Sequence, residues 1–115
     1  MGAQIIYKIC PAEAWKEAQA AGRFDGFGDD LADGFVHLST ACQVRDTAAR
    51  HFAGIDKLVV IALAADRLGA ALKWEPARNG ALFPHLHGPL DPGTALWTRP
   101  LPLGADGRHS FPELT

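Results

Sequence analysis

The segment Lys57 to Ala64, KLVVIALA, constrains this chain more than any other. It is a short unbroken apolar run rich in Val and Ile. Its length is well below the roughly 20 residues that would cross a bilayer. Length and β-branched content together predict a buried central strand. The flanking segments have other patterns. Ile5 to Ile9, IIYKI, alternates weakly and predicts a first strand. A helix should follow, with Pro11 in its opening turn, Glu13 at its positive end, an apolar stripe of Ala14, Trp15 and Ala18, and Gly22 as its stop. Arg23 to Gly34 is dense in Gly and Asp and reads as a long turn-bearing loop. Phe35 to Ser39, FVHLS, predicts a strand that empties into a second helix. Thr40 and Gln43 stand there in capping-box spacing, and Val44, Ala48 and Phe52 fall at four-residue steps before Gly54. Beyond the apolar run come a strand-like piece around Lys73 to Glu75, the stretch FPHLHGPL, and a last strand in Gly93 to Arg99. Strand, helix, strand, helix and then mostly strands is an α+β order, with the helices early in the chain.

At 115 residues the chain suits one domain, spanning 1–115, with a loop-rich C-terminal tail over 100–115. A net charge of -2 gives no electrostatic footprint for nucleic acid or for an anionic membrane. Neither GxGxxG nor GxxxxGK[ST] occurs, so the two common nucleotide cradles are absent. Cys10 and Cys42 match no ligand spacing and make no framework, which places the expected location in a reducing cytoplasm. Cys42 falls within the second predicted helix and is expected to be buried. The start MGAQIIYKICP lacks a basic lead and a long apolar stretch, so it does not read as a signal peptide, and Met1-Gly2 lacks the Ser or Thr of a lipidation site.

Chemistry concentrates in three places. In an extended FVHLS, Phe35, His37 and Ser39 share one face, and the following helix start would offer free backbone N–H groups to a phosphate or ribose. His37 and Ser39 are therefore candidate ligand-contacting residues, whereas a lone strand histidine can equally brace a core, and Thr40 is expected first of all to cap the helix. In KWEP, Glu75 could hydrogen-bond a sugar hydroxyl or stabilise a developing cation, against the plain alternative of a solvated glutamate. In FPHLHGP, His85 and His87 share a face with Phe83. Two histidines at that spacing can chelate zinc, with His37, Glu75 or His51 completing a site. With no HExxH or cysteine pattern in support, metal-free histidines are expected and no metal is assigned. Among the aromatics, Trp15 and Trp97 read as core, and Tyr7 and Trp74 as the candidates for stacking on a flat ring. No serine nucleophile elbow is present.

IYKI, Trp15, DGFVHLST with Gln43, LVVIAL, LKWE and FPHLHGPL follow one another over most of the chain. In these motifs the chain resembles the small bacterial family catalogued as domain of unknown function 952. The family usually has tyrosine in place of His87 and often histidine in place of Lys8, whereas His37, Ser39, Glu75 and His85 match. The resemblance implies an ADP-ribosyltransferase-like fold, a split, curved mixed sheet whose cleft holds NAD or an ADP-ribose-like ligand. RNA 2'-phosphotransferases of that superfamily share the order of first strand, helix and VHLS strand. Aligned on VHLS, however, their catalytic arginine falls at Asp33 and their extra histidine at Phe35, and their basic RNA-binding lobe is missing, so RNA repair is not expected. What the resemblance implies is an enzyme acting on NAD or a related nucleotide. Catalytic roles would fall to His37, Glu75 and His85, with Tyr7, Ser39, Thr40 and Trp74 contacting the ligand and Glu75 holding the nicotinamide ribose. A non-catalytic nucleotide or metabolite module of the same fold is the alternative, and a metal-dependent hydrolase using His37, His85 and His87 a third.

Overall fold

The computed structural model describes residues 4–114. Met1-Gly2, read above for targeting signals, and Thr115 at the end of the tail lie outside them. Strand β1 (Ile5–Pro11) alternates strictly between its two faces. Helix α1 (Ala12–Ala21) follows directly, with Pro11 at its N-cap and Gly22 closing it in the left-handed conformation. Residues 23–34, expected to be irregular, contain a short helix, α2 (Asp29–Asp33). The chain then forms β2 (Val36–His37), β3 (Ser39–Thr40), α3 (Val44–His51), β4 (Leu58–Ala64), β5 (Leu72–Pro76), β6 (Leu82–Leu86) and β7 (Ala95–Leu101). All three α-helices precede residue 52, as the α+β reading expects.

The strands make two sheets, in the orders β3-β1-β4-β7 and β2-β6-β5. Every pairing among these strands is antiparallel, which corrects the mixed sheet that the resemblance implied. The apolar run is central, as predicted: β4 pairs with β1 along seven residues and with β7 on its other side. Its continuous apolarity reflects burial on both faces. Ile61 and Leu63 enter one core with Ile6, Cys10, Trp15, Phe24, Val36 and Leu86. Leu58, Val60 and Ala62 enter the other with Tyr7, Ile9, Val44, Ala48 and Leu101.

FVHLS is not one strand. His37 ends β2 in the smaller sheet and Ser39 begins β3 in the larger one. Leu38 bridges them, buried, with its N–H donating to Pro84 O at 3.1 Å. The parting of these two-residue strands opens the gap between the sheets. Thr40 belongs to β3, and α3 starts only at Val44 and ends at His51, short of Gly54. One half of the expected capping box survives: Gln43 Oε1 accepts from the Thr40 N–H at 3.0 Å, and the chain turns through 41–43 before winding. Cys42 lies in that turn and is exposed, contrary to its expected burial, because the helix begins after it. Trp15 is core, while Trp97 is part-buried against the second core. In the tail, Phe111 and Leu114 pack on that same core.

The 23–34 segment is held by two devices. Phe24 and Leu90 exchange backbone hydrogen bonds of 2.7 and 2.9 Å, and the Asp30 side chain is buried beneath the segment. Gly26, at φ +119°, lies so close to that side chain that an added Cβ would come within 2.6 Å of Asp30 Cβ. Gly22 also has a positive φ, but nothing lies within 4 Å of its would-be Cβ. Gly26→Ala is expected to cost about 2–3 kcal/mol of unfolding free energy and Gly22→Ala about 1 kcal/mol. Urea denaturation of the two variants checks this, and equal losses would show that Asp30 does not pack against Gly26.

Candidate functional site

Between the sheets, where β2 and β3 part, lies an open cavity of about 880 Å³. Tyr7, Lys8 and Ile9 of β1 form its floor. α2 and its approach give Phe27, Asp30 and Asp33, and α3 gives Thr47, Arg50 and His51. His37, Ser39, Arg78, Phe83 and His85 complete the wall. Four sequence-predicted residues therefore meet here: Tyr7, His37, Ser39 and His85. Glu75, Thr40 and Trp74 do not line the cavity. Thr40 pairs with Ile6 at the sheet edge, and Trp74, on β5, is 37% exposed away from it.

Asp30 is a buried charged group of this lining, 2% exposed. One carboxylate oxygen accepts from Lys8 Nζ at 2.6 Å and Phe27 N at 3.0 Å. The other accepts from the His37 N–H at 2.9 Å and meets His37 Nδ1 at 2.6 Å. Burial alone would push this carboxyl upward. The His37 hydrogen bonds and the Lys8 charge outweigh it and bring the pKa down to about 2. Lys8, itself buried, also donates to His37 O at 3.1 Å. Nε2 of His37 meets Asp33 at 3.0 Å, so both ring nitrogens are engaged by carboxylates. His37 therefore presents no free nitrogen to a ligand, and its expected part in binding ribose or phosphate is not available in this arrangement.

His85 is placed differently. It is buried in β6, with Nδ1 2.8 Å from Glu75 Oε1. The same oxygen lies 2.7 Å from His87 Nε2. Hydrogen bonds from His87 and then His85 lower the pKa of Glu75, so it is an ionised acceptor and both imidazoles donate to it. An Nδ1 proton donated to Glu75 leaves Nε2 of His85, which has no partner among the described residues, open to a ligand, and His85 is one of the residues lining the cavity. The Phe35 ring packs at a tilt against those of His37, His85 and His87, at centroid distances of 4.5, 4.3 and 4.9 Å. The antiparallel β5–β6 register pairs Glu75 with Phe83, two residues from His85, and so puts its side chain on the same sheet face as His85; held by the two imidazoles, its carboxylate stands beside His85 and does not line the cavity.

The opposite wall is cationic. Ser39 Oγ and Thr47 Oγ1 are 3.0 Å apart, Arg78 Nη2 donates to Thr47 Oγ1 at 3.4 Å, and the Arg78 guanidinium lies over the Phe83 ring. Arg50 and Arg78 share a single carboxylate, Asp46, which leaves a net positive charge at this end. Tyr7 is buried with its hydroxyl pKa raised by that burial, an effect the nearby Arg45 partly offsets. Sequence reasoning missed Asp30, Thr47, Arg50 and Arg78. Only Asp30 was signalled, by the lone lysine in an apolar strand, which demands a buried partner. Cys10, with its thiol pushed up to about 12 by burial, is inert packing.

A small α+β protein with two antiparallel sheets and an open cavity between them is the class defined by this geometry. The family described as "Protein of unknown function (DUF952)" matches residues 9–98, and the chain belongs to that family. The X-ray crystal structure of protein CC0527 from Caulobacter crescentus is similar at 47% identity, with 92% of this chain and 93% of that chain covered and a TM-score of 0.89. The solution NMR structure of CC0527 is similar at 48% identity, covering 90% of each chain, with a TM-score of 0.81. No curated protein matches the chain.

Because the folded-state pKa of Asp30 lies below its ordinary value of 3.8, its contribution is fully present above that value and is lost as pH falls through about 2. The contribution amounts to about 2 kcal/mol. Urea unfolding between about pH 5 and pH 2 should show a fall in stability smaller by that amount in Asp30→Asn than in the parent protein. Lys8→Met, which leaves the carboxylate buried without its cation, should cost about 3–5 kcal/mol at neutral pH. A loss under about 1 kcal/mol would mean that solvent reaches Asp30 and the pair is not a buried one.

Proposed function

We propose that the cavity takes NAD or an ADP-ribose-like nucleotide and that His85 is the acid–base group acting on it. The observation that carries this reading is the division of charge within one cavity. Arg50 and Arg78 crowd one end around a single carboxylate, and Asp33, Asp29 and the exposed Phe27 ring stand at the other. A dinucleotide with phosphates in its middle and a cationic pyridinium at one end has the complementary distribution, with phosphates against the guanidiniums and the flat cation beside Phe27 and Asp33. Two sheets separating at a ligand-sized cleft support the ADP-ribosyltransferase-like fold that the motifs imply. In this scheme Glu75 does not hold the ribose. It orients His85, as the acid of an acid–histidine pair does. A hydroxyl, from water or an acceptor, would attack the ribosyl carbon and give its proton to His85 Nε2. Nicotinamide would leave as a neutral molecule with the electron pair of the broken glycosidic bond. The two cysteines are free, which suits the reducing cytoplasm expected for such an activity. Among the described residues no helix is long and apolar enough to cross a membrane.

A second reading, a nucleotide-binding module without turnover, is favoured by the state of His37. With both its nitrogens engaged, His37 has no nitrogen left for proton transfer, and the acid–base work assigned to two histidines of this wall falls to His85. Calorimetric titration with NAD, ADP-ribose and nicotinamide, together with chromatographic detection of nicotinamide release, separates the readings. The expected result is binding of NAD and ADP-ribose that weakens about tenfold or more in Arg78→Ala, with nicotinamide released by the parent protein and not by His85→Asn. Binding without release above buffer selects the module. No binding at millimolar concentration ends both.

A further inference from the structure

Behind the cavity, Glu75, His85 and His87 form a cluster that the acid–base reading uses only in part. One ligand-capable atom from each residue lies within 4.8 Å of those of the other two, and Glu75 Oε1 is 2.8 Å from His85 Nδ1 and 2.7 Å from His87 Nε2. We propose that these three residues form a binding site for a divalent transition-metal ion of the zinc class. The inference goes beyond the nucleotide reading and does not depend on it.

Three observations carry it. The first is the donor set. Two imidazoles and one carboxylate are a recurring zinc ligand set with an open fourth position, and imidazole donors suit zinc, nickel and copper better than magnesium or calcium. The second is preorganisation. Glu75 comes from β5 and His85 from β6, adjacent antiparallel strands, and His87 follows two residues after His85, so the hairpin register delivers all three to one place. Phe35 packs on both imidazoles, at 4.3 and 4.9 Å, and limits their rotation. An ion with ligands at about 2 Å needs ligand atoms about 3–4 Å apart. The two hydrogen bonds of 2.8 and 2.7 Å must open slightly and the remaining separation must close, which side-chain motion alone can supply. The third is access. The side chains of Glu75 and His87 are 38% and 34% exposed, so an ion can enter from solvent while His85 anchors the inner side.

The chemistry of ligation has a consequence inside the cavity. An ion on Nδ1 of His85 takes the lone pair there, and the single proton of the neutral ring then resides on Nε2. That nitrogen changes from acceptor to donor, with no proton gained or lost by the ring. His87 undergoes the mirror exchange, its proton moving from Nε2 to Nδ1.

The test is calorimetric titration of the full chain, freed of metal by chelator, with zinc chloride. The expected result is one ion per chain, with affinity reduced about tenfold or more in both His87→Gln and Glu75→Gln, while His51→Gln and Cys42→Ser bind as the parent does. His87 lies at the surface end of the cluster, so His87→Gln reads the site even if the Glu75 variant loses stability. Ring-nitrogen NMR should show the His85 proton transferring from Nδ1 to Nε2 as zinc is added. Absence of stoichiometric binding, binding unchanged in His87→Gln, or zinc-induced shifts confined to His51 or His109 would overturn the proposal. None of these outcomes bears on NAD binding, which is measured without metal.

Discussion

The buried carboxylate of Asp30 holds the cavity-bearing part of this molecule together. It ties β1 through Lys8, the start of α2 through the Phe27 N–H, and β2 through the backbone and ring of His37. No hydrophobic contact specifies position so narrowly. A buried charge with one partner missing costs several kcal/mol, so these three segments have one favourable mutual arrangement. A Gly- and Asp-rich segment without an apolar stripe consequently becomes ordered and forms one side of a cavity. The same network takes both nitrogens of His37 out of circulation and makes that residue a brace for the wall.

The cavity itself follows from two very short strands. A continuous FVHLS strand would have extended one sheet and left no gap. Because Leu38 is buried between His37 in one sheet and Ser39 in the other, successive residues serve different sheets. The space opened there is lined by acids on the α2 side and by guanidiniums on the α3 side. His85 projects into it from a third direction with its ring already oriented by Glu75. Positioning of this kind, an imidazole held by a carboxylate on the neighbouring strand, rests on β-sheet register and not on a flexible loop.

Much of the architecture was legible along the chain. The central strand was visible because burial on both faces leaves no polar position in its run, and α1 because its apolar stripe and terminal glycine are local signals. Of the four polar residues expected to converge in the cleft that the resemblance implied, His37, Ser39 and His85 line the cavity and Glu75 does not. Other features were misread where a long-range partner overrode local pattern. Arg23 to Gly34 has loop composition, yet Asp30 finds Lys8 twenty-two residues away and the segment winds into α2 around it. Thr40 and Gln43 have capping-box spacing, but pairing of Thr40 with Ile6 keeps the threonine in a strand, and only the glutamine's half of the box forms.

The sequence by itself determined an α+β chain with early helices, one buried central strand and a set of polar residues on neighbouring strands. Those are consequences of periodicity and of what each residue type can bury. Only the tertiary structure decided that Glu75 stands beside His85 and not in the cavity, that His37 has no nitrogen to spare, and that Arg50 and Arg78 share one carboxylate. Each of these depends on where a residue sits relative to a partner from another strand or helix. Pairing register sets that relation for Glu75, His85 and His37, and an offset of a single residue would turn these strand side chains to the opposite face, whereas Arg50 and Arg78 are brought to Asp46 by the packing of α3 against the β5–β6 turn.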